Sequence, residues 1–179
     1  MKGIYLGACR AYHPNYNLDY NDIVPGYHIN IVGDMLVVDL TCYDVLIATP
    51  PCNYYSRANY RRDSSDYALA TKNLLPCIIE KFNRSGKPFI VENVRNFSMF
   101  KKCGIVDYCN KNGVIIYEYG RHTYFTNMLI NLNNIPQLKD DIQNKSDSVN
   151  IYRQGGYNVH QVIEYFLQYC NELLGENQK

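Results

Sequence analysis

Tryptophan is absent from this chain, and histidine occurs only four times. No histidine pair stands at metal-ligand spacing, and Cys103 and Cys109 are not spaced as a zinc site requires, so no metal is expected. Long hydrophobic runs are missing too. No apolar stretch is long enough to cross a bilayer and the opening residues carry no signal-peptide pattern, so no membrane partner is expected. An excess of either charge is also lacking: 18 Lys and Arg against 17 Asp and Glu leave a net charge of +1. That balance excludes no class of partner, but it requires any nucleic-acid footprint to be local. The seven cysteines are an odd number without paired spacing, which argues against a disulfide framework. They point to a reducing compartment: cytoplasmic, or host cytoplasm for a viral chain.

What is present reads as one globular domain over 1–179, with 46% hydrophobic and 20% charged residues. Strand and helix signatures alternate, so the class expected is α/β. Met1–Gly7 reads as a first strand, Leu18–Ile23 as a second, and the alternating Tyr27–Val32 as a third, with His28 facing outward and Gly33-Asp34 as its turn. Val45–Ala48 is a short apolar run suited to a buried parallel strand. A helix capped by Ser64 or Ser65 runs to Phe82, with Leu74, Leu75, Ile78, Ile79 and Phe82 at helical spacing. Pro76 kinks it or opens its second half, Cys77 belongs to its structure, and Gly86 stops it. Strand Pro88–Val94 follows, then an irregular stretch to Asn112 with a short helix. Gly113–Tyr119 and Arg121–Asn127 form a hairpin about Gly120. Met128–Asn150 is a polar loop too small for a core of its own. Gln161–Leu174 is an amphipathic helix with Val162, Ile163, Phe166, Leu167 and Leu173 inward.

The chemistry centres on Asp44–Ser56. Pro50 and Pro51 end the strand, since neither donates to a sheet ladder, and Cys52 stands directly behind them. The carboxyl end of a parallel strand is where open α/β sheets bind ligands, and a thiol exposed there can act as a nucleophile in its thiolate form. The alternative is a small buried hydrophobe, the usual fate of a free cysteine. Next, Arg57-Ala-Asn-Tyr-Arg-Arg-Asp63 interleaves three arginines with an aromatic ring, suited to phosphate contacts and base stacking or simply to a solvated face. Glu92 ends the strand after the helix, among apolar Phe89, Ile90 and Val91, where desolvation favours the neutral, proton-donating carboxyl. Pairing with Arg95 or another cation is the alternative for Glu92.

Pro51-Cys52-Asn53-Tyr54-Tyr55-Ser56 resembles the Pro-Cys motif of the DNA cytosine-5 methyltransferases, and Phe89-Ile-Val-Glu92-Asn93-Val94 resembles their Glu-Asn-Val motif, in the same order. The resemblance extends by motif positions over roughly 33–167. It implies a Rossmann-like class I methyltransferase fold in reduced form, a mostly parallel sheet with flanking helices. It further implies methyl transfer from S-adenosylmethionine to carbon 5 of cytosine in DNA, through a covalent bond from Cys52 to carbon 6. In that scheme Glu92 protonates the ring, Arg121 holds the cytosine or its phosphate, and Ser56, Arg57 and Asn93 contact substrate or order its loops. Gly7, Asp22, Asp34, Pro50, Asn158 and Val159 make up the implied cofactor set.

The chain departs from the family in several places. No Gly-x-Gly follows the first strand, His122 and Thr123 stand where a second arginine is usual, and Tyr157 and the residues after Val159 break the last motif. In longer relatives the span 128–150 holds the target recognition domain, so recognition would come from a partner subunit or be lax. The other classes expected are a catalytically inactive binding module for nucleic acid or protein, and a cysteine-addition enzyme acting on a pyrimidine nucleotide.

Overall fold

The computed structural model describes residues 1–135 and 157–176. Seven strands form one sheet: β1 (Gly3–Leu6), β2 (Leu18–Asp22), β3 (Ile31–Val32), β4 (Val45–Ala48), β5 (Phe89–Val94), β6 (Ile115–Tyr119) and β7 (His122–Thr126). Their order is β3-β2-β1-β4-β5-β7-β6, with every neighbour parallel except at β7, which runs against both β5 and β6. The fold class is therefore α/β, with a mixed and mostly parallel sheet. Through its first five strands the order is that of doubly wound nucleotide-binding sheets, whose direction reverses between β1 and β4.

The central strands β1 and β4 are buried on both faces, as their continuous apolar runs require. On one face Leu6, Leu46, Val91 and Phe125 pack against α2 (Leu74–Ser85), through Leu75, Ile78, Ile79 and Phe82. The other face, carrying Tyr5, Ile47, Ile90 and Tyr124, is covered by the last helix, α5 (Tyr157–Glu176), through Val162, Ile163, Phe166 and Leu167. Leu173, expected inward, is only half-buried, and Cys170 takes a fully buried place on the same helix.

Several elements differ from expectation, while Pro76 at the opening of a second helix and Gly86 at its end agree with it. The helix after Ser65 is two: α1 (Asp66–Thr71), capped by Ser65 Oγ accepting from Ala68 N, and then α2. Pro76 lies in the first turn of α2, where its missing N–H costs nothing. Cys77 is exposed on that helix rather than part of its packing. Gly86 caps α2 at φ +68° with nothing near its would-be Cβ, a left-handed stop. The stretch after Asn96 is more regular than expected and holds α3 (Phe97–Lys102) and α4 (Ile105–Lys111). The third strand shrinks to two residues, and His28 leaves it to pack edge-on against the Tyr20 ring. Of the polar stretch expected over 128–150, the part beyond 135 lies outside the described residues.

No α-helix connects β1 to β2, β2 to β3 or β3 to β4. The segment 33–44 covers that part of the sheet itself, burying Met35, Leu40 and Tyr43. Its carbonyls, which a helix would have satisfied internally, are held by two lysines. Lys81 Nζ donates to Leu36 O at 2.8 Å and Val38 O at 2.6 Å, and Lys87 Nζ donates to Leu40, Thr41 and Tyr43 O at 2.5, 2.9 and 2.5 Å.

Candidate active site

The carboxyl ends of β1, β4 and β5 are fastened to one another by side chains. Thr49 N donates to Leu6 O and its Oγ1 to Gly7 O, at 3.0 and 2.8 Å, which ties the exit of β4 to that of β1. Asn93 Nδ2, fully buried on β5, donates to Pro50 O at 3.1 Å. The chain then turns about Cys52, whose carbonyl accepts from Tyr55 N and Ser56 N. Asn96 stands at the N-cap position of α3 without capping it; its Nδ2 donates instead to Tyr55 O at 2.6 Å. The Tyr55 hydroxyl donates to Lys72 O at 2.7 Å, and the Tyr54 and Tyr55 rings meet edge to face. The Pro-Cys loop is thus bonded to β5, α3 and the α1–α2 corner, and its backbone is fixed before any ligand arrives.

Within this frame Cys52 is half-buried. Burial pushes its thiol above the usual range, and the charge of Glu92 pushes it further in the same direction. The carboxyl of residue 92 therefore acts on the sulfur of residue 52. Glu92 does not pair with Arg95, which bonds Glu118 at 2.8 Å on the rim. Its Oε1 is 2.6 Å from His122 Nδ1, with 12% and 15% of the two side chains exposed. Glu92 and His122 are diagonal neighbours on one face of the β5–β7 ladder, in which Glu92 faces Tyr124 and Val94 faces His122. Beneath them lie the buried phenols of Tyr5 and Tyr124, both pushed up by burial and then by neighbours that include the Glu92 carboxylate. Among the described residues the Tyr124 hydroxyl takes no hydrogen bond.

Arg121 is exposed at the hairpin corner, where its carbonyl accepts from Arg95 N. The side chain brought to Glu92 is that of the next residue, His122. Sequence reasoning misses His122 and Asn96 as site residues. The alternating register of the hairpin is a signal that could have flagged His122, but nothing local marks Asn96, whose partner lies 41 positions away.

Next to the Pro-Cys loop opens a cleft of about 420 Å³, lined by Arg57, Arg62, Asn96, Ser98, Met99 and Lys102. Arg62 serves the loop itself, its Nε donating to Asn59 O and its Nη2 to Ser56 O at 3.0 and 2.9 Å. Arg57 and Lys102 are exposed. One arginine of the cleft is therefore bonded into the loop, and its other two cations face solvent at the rim.

Of the expected cofactor residues, Gly7 and Pro50 stand at the switch between β1 and β4, Asp22 ends β2 and Asp34 lies just past β3. Gly7 has φ +65°, and a Cβ there would come within 2.9 Å of Thr49 O and of the Met35 methyl, so glycine is required. The amides of Ala8 and Cys9 are taken up by β2, donating to Asn21 O at 3.0 Å and to Asp22 Oδ2 at 2.8 Å. Asp22 Oδ1 accepts from Val24 N at 3.0 Å, and Asp34 Oδ1 accepts from Leu36 N in a local turn. Beside Asp22, Ile23 and Val24 are 74% and 64% exposed, an apolar shelf at the end of β2. Asp22 and Asp34 thus stand near adjacent strand ends beside an apolar shelf, but both oxygens of Asp22 and Oδ1 of Asp34 already accept backbone amides, and the Ala8 and Cys9 amides are not free. Asn158 and Val159 lie in the first turn of α5 rather than in a turn ahead of it, and their side chains are outside the described set.

Among the described residues no three His, Cys, Asp or Glu side chains are grouped to hold a metal, and no helix is long and apolar enough to cross a membrane. No protein-family model matches the chain, and no curated protein matches it either.

Proposed function

We propose that this protein is an S-adenosylmethionine-dependent methyltransferase acting on carbon 5 of cytosine in DNA, with Cys52 as nucleophile and Glu92 as acid. The reading is carried by one observation: the half-buried thiol of Cys52 and the carboxyl of Glu92 stand at the ends of adjoining parallel strands, close enough for one to shift the other. Further support comes from the sheet, whose first five strands keep the order of doubly wound sheets that bind nucleotides at the switch between β1 and β4.

The electrostatics suit an addition that moves one proton. With Glu92 ionised, its charge opposes the thiolate; with Glu92 protonated, that opposition is gone. The reactive arrangement is therefore a thiolate beside a neutral carboxyl. Cys52 Sγ bonds to carbon 6 of an extruded or unpaired cytosine, the 5,6 double-bond pair moves toward carbon 4, and ring nitrogen 3 takes the Glu92 proton. S-adenosylmethionine, when bound, supplies the methyl group that carbon 5 takes up. Nitrogen 3 returns its proton to Glu92, carbon 5 loses its hydrogen to a base, and the bond to Sγ breaks. In this reading Arg57 and Lys102, which line the cleft, would meet the phosphates that flank the target base.

The test is mass-spectrometric detection of 5-methylcytosine in cytosine-containing DNA, with Cys52→Ala as control, together with trapping on DNA carrying 5-fluorocytosine. Methylated DNA and a Cys52-dependent adduct are expected. Absence of both at saturating cofactor overturns the reading.

A second reading, addition of Cys52 to a free pyrimidine nucleotide, is favoured by the Ala8 and Cys9 amides that β2 takes up. Release of tritium from carbon 5 of deoxycytidine monophosphate, with no response to DNA, would support it over the first.

A further inference from the structure

The contact between Glu92 and His122 is unexplained by the fold. The β5–β7 ladder is already closed by its backbone bonds, and the rim already carries the Arg95–Glu118 ion pair. A second acid–base pair, nearly shut off from water, adds desolvation cost and needs a compensating use. Its geometry suggests one. Nδ1 engages Oε1 alone, and among the described residues Oε2 takes no hydrogen bond. The carboxyl is therefore held by one oxygen and presents the other. The contact is favourable in either protonation state of the carboxyl: Nδ1–H donates to Oε1 whether the group is a carboxylate or carries its proton on Oε2.

Resting on the methyltransferase reading, we propose that His122 is the positioning residue of Glu92: it fixes Oε1, turns Oε2 toward ring nitrogen 3 of the pyrimidine, and stabilises the carboxylate left when that nitrogen is protonated. Proton and charge balance within the step. The proton leaves Oε2 for nitrogen 3 as the bond from Sγ to carbon 6 forms, and Glu92 becomes anionic. The imidazole N–H facing Oε1 is then bonded to a charged acceptor, which strengthens that bond at the moment the addition needs it. When the carboxyl regains its proton the contact relaxes. The His122 side chain replaces, by a neutral or cationic ring on β7, what the exposed Arg121 does not supply.

The experiment compares the wild type with His122→Ala, His122→Asn and Glu92→Gln, reading adduct formation on 5-fluorocytosine DNA and methyl transfer. Thermal unfolding monitors the fold. His122→Ala is expected to lower kcat about thirtyfold with KM within about twofold, since positioning of the acid acts in the transition state. Free imidazole added to His122→Ala is expected to restore about fivefold, and His122→Asn, whose amide nitrogen can occupy the place of Nδ1, to recover to within about fivefold of wild type. In the Glu92→Gln background, His122→Ala should add little, because the two act as a unit. Activity of His122→Ala within about twofold of wild type overturns the proposal while leaving the methyltransferase reading intact. So does equal impairment of the Ala and Asn variants without imidazole rescue. A wild-type protein that forms no adduct overturns the underlying reading, and the proposal with it.

Discussion

Asn93 Nδ2 donates to Pro50 O across the gap between β5 and β4, and neither residue reaches water. This is the bond that holds the Pro-Cys loop against the strand carrying Glu92. A proline pair cannot join a ladder, so the exit of β4 would otherwise have no fixed direction. Asn93→Ala leaves a buried carbonyl without a donor and is expected to cost about 1–3 kcal/mol. Denaturant unfolding measures that loss, and peptide mapping should show Cys52 alkylated faster as the loop loosens. A variant as stable as wild type would show that the loop is held elsewhere.

Cys52 and Glu92 make a second expectation, one of sign. Burial is the larger cause raising the thiol and the Glu92 charge the smaller. A raised value means less thiolate near neutral pH and an alkylation rate that climbs as pH rises into the alkaline range. Glu92→Gln removes the carboxylate charge, lowers the thiol value and speeds Cys52 alkylation at neutral pH by about two- to tenfold. Burial persists, so Cys52 should remain slower than the exposed Cys9, Cys42 and Cys77. Cys109 and Cys170, pushed up to about 12 by burial, should stay unlabelled in the native protein. No change at Cys52 in Glu92→Gln would separate the two groups and remove the central support for an acid–nucleophile pair.

The placement of these two residues is legible in the sequence because Cys52 follows a short apolar strand ended by prolines and Glu92 lies toward the end of the next apolar strand, at the start of the Glu-Asn-Val run. The hairpin about Gly120 is legible for the same reason: its strands alternate and its turn is a glycine. Long-range pairing is what local pattern does not carry. In the sequence His122 is only a departure from a double-arginine pattern, and its meaning depends on β7 lying beside β5 rather than β6 alone. Asp22, expected to face a ribose, has both its oxygens accepting backbone amides of neighbouring turns, a local competition common for aspartate. The two lysines that satisfy segment 33–44 give no signal, because a lysine on a helix face or in the bend after it, as Lys81 and Lys87 are, usually points to solvent.

Those lysines carry a third prediction. Lys87→Met keeps the apolar stem and removes the ammonium, leaving the carbonyls of Leu40, Thr41 and Tyr43 to find other donors. A hydrogen-bonded charge of this kind is expected to contribute about 2 kcal/mol, so the variant should unfold at lower denaturant. Hydrogen exchange should quicken over 36–43 while the amides of β4 and β5 stay protected, since that segment contains no helix or strand of its own. Uniform loss of protection would instead make the lysine part of the global core.

The basic cleft gives the last test, because its three cations are not equivalent. Arg57 and Lys102 stand exposed at its rim, whereas Arg62 is bonded to the carbonyls of Asn59 and Ser56. If the rim cations meet phosphates, Arg57→Ala and Lys102→Ala should each weaken binding of a single-stranded oligonucleotide. Each should also reduce the slope of log K against log salt by about 0.7 for every phosphate no longer neutralised. Stability should be unchanged, as exposed surface cations contribute little. Arg62→Ala should differ in kind: it removes donors from loop carbonyls, so it should lower stability and disturb Cys52 reactivity even without nucleic acid. Fluorescence anisotropy over a salt series, beside unfolding curves, separates the two effects. Equal salt slopes in wild type and both rim variants would exclude the cleft as the seat of the phosphate backbone. The nucleic-acid substrate would then have to approach the thiol from the opposite side of the loop.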